Sequence, residues 1–255
     1  MRLKYIAYTS LSALLLILGF SFSLIRSPKK TEPGKCIVDI SHFAGSALLK
    51  LDSLIYKNEL GQGFSVTKFK YYLGKITLKQ SNGNEFSSKE YYLINEEEES
   101  SKRLVLENIP NGNYSAIEFI IGVDSLHNCS GAQSGALDPV NAMFWAWNSG
   151  YIFLKLEGKS PLSKSPGHIF EFHIGGYKHP DYCIRKVSLP LTKSISFENL
   201  KIQTINLKVD LLELLKTPTN IDFEKLSSVT DFHNATTFAD NYKDMFSIFN
   251  RAHED

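Results

Sequence analysis

The feature that most constrains this chain is a period of two. Between residues 36 and 44, Val38, Ile40, His42 and Ala44 alternate with Ile37, Asp39, Ser41 and Phe43. Successive side chains of a strand leave opposite faces, so such alternation predicts β-structure, here with both faces covered. Similar runs recur at 64–73, 76–78, 91–94, 103–106, 115–123, 151–156, 168–173, 185–189 and 201–209. Turn formers separate them: Asn82-Gly83, Pro110-Asn111-Gly112-Asn113, Gly158, Pro166-Gly167, Gly175-Gly176 and Pro190. The Asn-Gly pair favours a tight hairpin. Many short strands with regular punctuation predict a mainly β fold, an antiparallel β-sandwich or barrel-like domain. Twelve Tyr and seventeen Phe against three Met agree, because aromatic residues favour a pleated sheet.

Helical patterning is confined to the end. Residues 209–215 read as one or two turns stopped near Pro218. Over 235–249, Phe238, Tyr242, Met245, Phe246 and Phe249 recur at spacings of three and four, which predicts an amphipathic C-terminal helix lying on the sheet. Residues 36–255 therefore read as a single β domain that includes this helix. The acidic run 96–99 reads as a solvated loop.

The N-terminus carries an address. Arg2 and Lys4 precede an apolar stretch at 11–20, and Ser21-Phe22-Ser23 supplies small residues near a cleavage point. This assigns 1–26 as a signal peptide and 27–35, rich in Lys and Pro, as a linker. An uncleaved anchor is the other reading, since 6–25 approaches the roughly 20 residues needed to span a bilayer; it would be the only membrane attachment. No lipobox-like run precedes Cys36. Either reading places the domain outside the cytoplasm, periplasmic or at the cell surface. Cys36, Cys129 and Cys183 allow one bridge and a free thiol, or none.

Several function classes are excluded or unsupported. Twenty-eight basic against 27 acidic side chains give a net charge of +1, with no clustered positive surface for nucleic acid. No phosphate-binding glycine loop, nucleophile elbow or paired-histidine zinc motif occurs, so no enzyme is expected. The unusual stretch is 122–151, where Asp124, His127, Asn128, Asp138 and Asn141 accompany Met143-Phe144-Trp145-Ala146-Trp147. A long loop of this composition binds something or plugs the end of a sheet.

These residues are also recognisable. Gly122-Val123-Asp124-Ser125-Leu126-His127-Asn128, the segment 131–139, and Met143-Phe144-Trp145-Ala146-Trp147-Asn148-Ser149-Gly150-Tyr151 closely resemble the MbnP-like domain family. Phe170-Glu171-Phe172-His173-Ile174-Gly175-Gly176, Phe69-Lys70-Tyr71-Tyr72-Leu73 and Ala239-Asp240-Asn241-Tyr242 with Met245-Phe246 are similar too. The likeness spans about residues 36–249. It implies an extracytoplasmic, mostly β bacterial protein and copper binding through imidazoles and a kynurenine made from tryptophan. It further implies a protein partner in copper handling, a di-haem peroxidase-like enzyme or an outer-membrane receptor. Neutral imidazole suits copper. Carried over, the ligands are His42 and His173, with His127 approaching from the loop. The sequence departs from the copper pattern in having no tryptophan near the early strands, which points to the branch of the family without assigned activity.

Each residue has a plainer reading. His173 can be a hydrogen-bonded structural histidine beside Glu171. His42 can be a satisfied core imidazole, and His127 can brace a turn. Asp124 and Asp138 offer oxygen to calcium or support a neighbouring ligand, but loop aspartates commonly anchor turns. Trp145 and Trp147 alternate, so one fills the core and the other faces a loop or the C-terminal helix; Tyr151 closes the aromatic block. Two functions follow: copper capture or handling through histidines in a β scaffold, or a metal-free extracytoplasmic binding module using the Trp/Tyr-rich loop. Convergence of His42 and His173 discriminates between them.

Overall fold

The computed structural model describes residues 32–52, 55–145, 150–198, 201–230 and 234–249. The residues read as a signal peptide, most of those read as a linker, and Trp147 lie outside the described residues. Strand β1 (Gly34–Ala44) buries every second residue, including Cys36, Val38, Ile40, His42 and Ala44. The alternate set, Ile37, Asp39, Ser41 and Phe43, is half-exposed, so one face of this strand is core and the other is not fully covered.

Nine further strands build two sheets. They are β2 (Gly63–Gln80), β3 (Tyr91–Asn95), β4 (Arg103–Ile109), β5 (Gly112–Ile121), β6 (Leu154–Lys159), β7 (Ile169–Ile174), β8 (Arg185–Phe197), β9 (Ile202–Asp210) and β10 (Phe246–Ile248). The first sheet runs β10–β9–β1, with β4 and the short strand Ala47–Leu48 also paired to β1. The second runs β8–β5–β2–β6–β7 and ends on Ser228–Val229, while β3 adds to β2. Most pairings are antiparallel, but β1 lies parallel to β9, and β7 parallel to Ser228–Val229.

Strand β2 is the spine of the second sheet. Sequence periodicity divides it into two runs; the chain instead forms one strand of 18 residues with an irregularity between Gly74 and Thr77, where Lys75 has φ +51°. Its first half pairs with β6 and its second with β5, while β3 takes Lys70–Gly74 on the opposite edge. The Asn82-Gly83 turn folds Glu85–Ser87 back onto it as expected.

The inner faces pack through aromatic rings. Phe246 meets Tyr71 at 5.8 Å and Phe119 at 4.9 Å, edge to face. At the other end Phe170 and Phe172 of β7 stack with Phe223, and Phe238 covers Phe172 at 4.5 Å. Such pairs add to the burial of large apolar surfaces that holds the sheets together.

The C-terminal element differs from its expected extent. The helix α3 spans only Ala235–Tyr242, following the short helices α1 (Ser125–Cys129) and α2 (Leu211–Leu214). After a single turn the chain becomes β10 and pairs with β9, Phe246 opposite Val209. The edge of β9 offers unpaired backbone groups, and satisfying them outweighs continuing a helix. Among the described residues, no helix is long and apolar enough to cross a membrane.

Candidate functional site

The three histidines sit at three different places. His42 points from β1 into the core, its side chain fully enclosed. Its Nδ1–H donates to Glu96 Oε2 at 2.5 Å, and its Nε2 accepts from the Tyr71 hydroxyl at 2.8 Å. Phe69 and Tyr71 flank the ring at 5.0 and 5.6 Å. Burial holds the imidazole below its ordinary pKa, opposed in part by Glu96. Burial also pushes Glu96 up, but His42 and Lys102 outweigh it and keep the carboxyl below the usual range. The pair is therefore a neutral imidazole bonded to a carboxylate, with Lys102 Nζ 3.1 Å from the same Oε2.

His173 lies on the other side of the second sheet. Lys155 pairs in register with both Lys70 and His173, so these three positions form one row across β2, β6 and β7. Tyr71 follows Lys70 on β2, and consecutive strand side chains leave opposite faces. Tyr71 faces inward to His42; His173 therefore faces outward. Its Nε2 lies 2.9 Å from Glu157 Oε1, and that hydrogen bond holds Glu157 below the usual carboxylate range.

His127 is in α1, where its ring contacts Asp124 and Tyr91. Asp124 caps this helix, accepting from the His127 backbone N–H at 3.0 Å and lying 2.7 Å from its Nδ1. Lys75 Nζ lies 2.8 Å from the other carboxylate oxygen, and the ring rests edge-on against Tyr91 at 4.8 Å. Burial pushes the Asp124 carboxyl up, but the bonds from Lys75 and His127 outweigh it and hold it well below the usual range. Asp138 likewise accepts from the Val140 N–H at 2.9 Å. Both aspartates are turn anchors. Calcium takes about six to eight oxygens, and among the described residues no group of three His, Cys, Asp or Glu side chains can hold a metal ion.

The loop 122–151 roofs the outer face. Tyr72 sends its hydroxyl to the Ala136 carbonyl at 2.9 Å and meets Tyr151 edge-on at 5.8 Å. Tyr151 OH donates to Leu137 O at 2.7 Å, and Asn128, buried, binds Val123 O and the Tyr151 N–H. Lys155 Nζ donates to Ala142 O at 2.6 Å. Trp145 is 5% exposed and packs on Gly175, where a Cβ would sit 2.6 Å from its ring. Trp145 and Tyr151 are thus loop core, not an exposed aromatic platform. Trp145 packs against Gly175, two residues past His173 and just beyond the end of β7.

These positions decide the fit of copper. Two imidazoles sharing a metal at ~2.0 Å per bond approach within about 4–5 Å; His42 and His173 are separated by the sheet. His127 joins neither. Burial pushes the Cys36 and Cys183 thiols up to about 12, away from the thiolate a metal needs, and all three cysteines are free. A shared site for the His42 and His173 imidazoles does not assemble.

Sequence reasoning missed Glu96, Tyr71 and Glu157, the partners of the imidazoles, and Lys102, which pairs with Glu96. It placed Glu96 in a solvated loop, yet its side chain is 11% exposed. The only sequence signal was the interruption of polar residues within otherwise apolar strands.

A cleft of about 350 Å³ opens elsewhere, where β3 and β4 leave the edges of the two sheets. Among the described residues, β3 pairs only with β2 and β4 only with β1. The loop segment 135–141 forms a further wall, so the aromatic loop shapes this cleft from its polar side.

A two-sheet sandwich with a tryptophan-bearing loop folded over one outer face defines the class of protein. Residues 33–233 match the MbnP family, and the chain belongs to it. A solved structure, MbnP from Methylosinus trichosporium, is similar at 14% identity and a TM-score of 0.47, covering 78% of this chain and 80% of that one. Curated protein sequences contain no match.

Proposed function

We propose that this MbnP-family chain is an exported binding module, periplasmic or at the cell surface, that acts without catalysis and without a histidine-held copper centre. The observation that carries this reading is the placement of His42 and His173 on opposite sides of the second sheet, each bonded to its own carboxylate. Copper handling through His42, His173 and His127, with a di-haem enzyme or outer-membrane receptor as partner, has family membership as its support and no shared pocket for the rings. The cleft between β3 and β4 is the binding surface, because it combines apolar walls with polar groups at the open edge of the sandwich.

Competition of the full chain against a Cu(I) chelator tests this. The expected result is no copper withdrawn from the chelator, and identical curves for His42→Gln and His173→Ala. One equivalent of tightly held Cu(I), lost in either variant, overturns the proposal.

A further inference from the structure

We infer that the cleft between β3 and β4 accepts a short zwitterionic peptide of two or three residues, with its ammonium at Glu98 and its terminal carboxylate at Arg103. This rests on the binding-module reading above and names the ligand of that same cleft. A volume of about 350 Å³ is at the small end for ligand sites, which run about 300–1,000 Å³.

The charge of the walls selects the ligand. Among the described residues, Glu98 has no cationic partner; its carboxylate accepts only the Ser100 hydroxyl at 3.1 Å. Arg103 is 57% exposed at its side chain, and its Nη1 stands 3.8 Å from Asp39 Oδ2, beyond hydrogen-bond length. Lys102, the adjacent cation, is already engaged by Glu96 and Glu99 at 3.1 and 2.8 Å. Among the described residues, the cleft thus presents one anion without a cationic partner and one cation held only by a long, exposed ion pair to Asp39.

A neutral saccharide would desolvate both charges and pair neither, which is costly. A simple anion would meet Glu98 as well as Arg103. A zwitterion satisfies both, and a guanidinium matches a terminal carboxylate in a bidentate fork. Between the charges, Leu93 and Val105, the latter 42% exposed, offer an apolar surface for a side chain. Asn141 commits its amide hydrogens to Gly135 O and Ala136 O at 3.0 and 2.9 Å, leaving its oxygen to accept from a peptide N–H. The free edges of β3 and β4 suit an extended main chain.

Calorimetric titration of the full chain with Ala-Leu, N-acetyl-Ala-Leu and Ala-Leu-amide tests the assignment. Ala-Leu is expected to bind, and each blocked form to bind at least about tenfold more weakly, ~1.4 kcal/mol. Glu98→Gln should remove the penalty of acetylation and Arg103→Gln that of amidation, while both variants keep the wild-type denaturant midpoint. Absence of Ala-Leu binding, or equal affinity for the blocked peptides, overturns the inference. Histidine-dependent copper binding would sink the metal-free reading and leave the peptide result to stand by itself.

Discussion

His42 and Glu96, 54 residues apart in sequence, meet at 2.5 Å in the space between the sheets. The contact pins the β3–β4 crossover to β1 and uses the nitrogen that a metal ligand would need. Tyr71 occupies the other nitrogen.

Removing this imidazole leaves a largely enclosed carboxylate with only Lys102 to balance it. His42→Ala is expected to destabilise by about 2–4 kcal/mol, from the lost hydrogen bonds to Glu96 and Tyr71 and the cavity left in the core. His173→Ala removes a more accessible bond to Glu157 and is expected to cost about 1 kcal/mol. Urea denaturation midpoints of the two variants check the contrast; equal losses would count against the burial argument.

The same pair sets a pH dependence. Burial lowers the folded pKa of His42 below the ordinary value of about 6.5. The unfolded chain therefore takes the proton first. This contribution to stability is complete above the ordinary value and is lost as pH falls from there through the folded value. The urea midpoint should drop as pH falls below about 6.5, and His42→Gln should flatten that drop. An unchanged slope in the variant would assign the dependence to other groups.

Trp145, buried, packs its ring on Gly175. Trp145→Ala is expected to cost about 3–5 kcal/mol, as for other large aromatic truncations. A midpoint that hardly moves in guanidinium would mean the loop stays docked without it.

Gly158 allows β6 to cross close to β2. A Cβ there would lie 2.0 Å from the Ser65 carbonyl oxygen and 2.4 Å from the Phe170 ring. Gly158→Ala is expected to destabilise by about 3 kcal/mol, at the upper end for overpacking. Thermal melting of the variant measures it, and a neutral result would show that the strands can separate freely.

Asp124 caps α1, accepting from the His127 backbone N–H. Asp124→Ala should cost about 1–2 kcal/mol, and millimolar calcium should leave the Tm of the wild type unchanged. A calcium-dependent rise in Tm that the substitution abolishes would restore the aspartate as a ligand.

The strands of the sandwich, the Asn82-Gly83 hairpin and the core side of β1 were legible in the sequence, because alternation and turn chemistry are local. The C-terminal stripe misled: spacings of three and four continue to Phe249, but the open edge of β9 drew Phe246–Ile248 into a strand. The candidate ligands were legible only as residue types. The partner of His173 is not Glu171, two residues before it in sequence, but Glu157 from the neighbouring strand.

The period of two and the Met-Phe-Trp block were enough by themselves to determine a mainly β chain of the MbnP family. Tertiary structure alone decided that the imidazoles do not converge. A side chain's face follows from parity along its own strand, but its partner is chosen by strands that arrive from far away. Glu96 reaches His42 only after the crossover closes, and the sheet that separates His42 from His173 exists only once β2, β6 and β7 have paired.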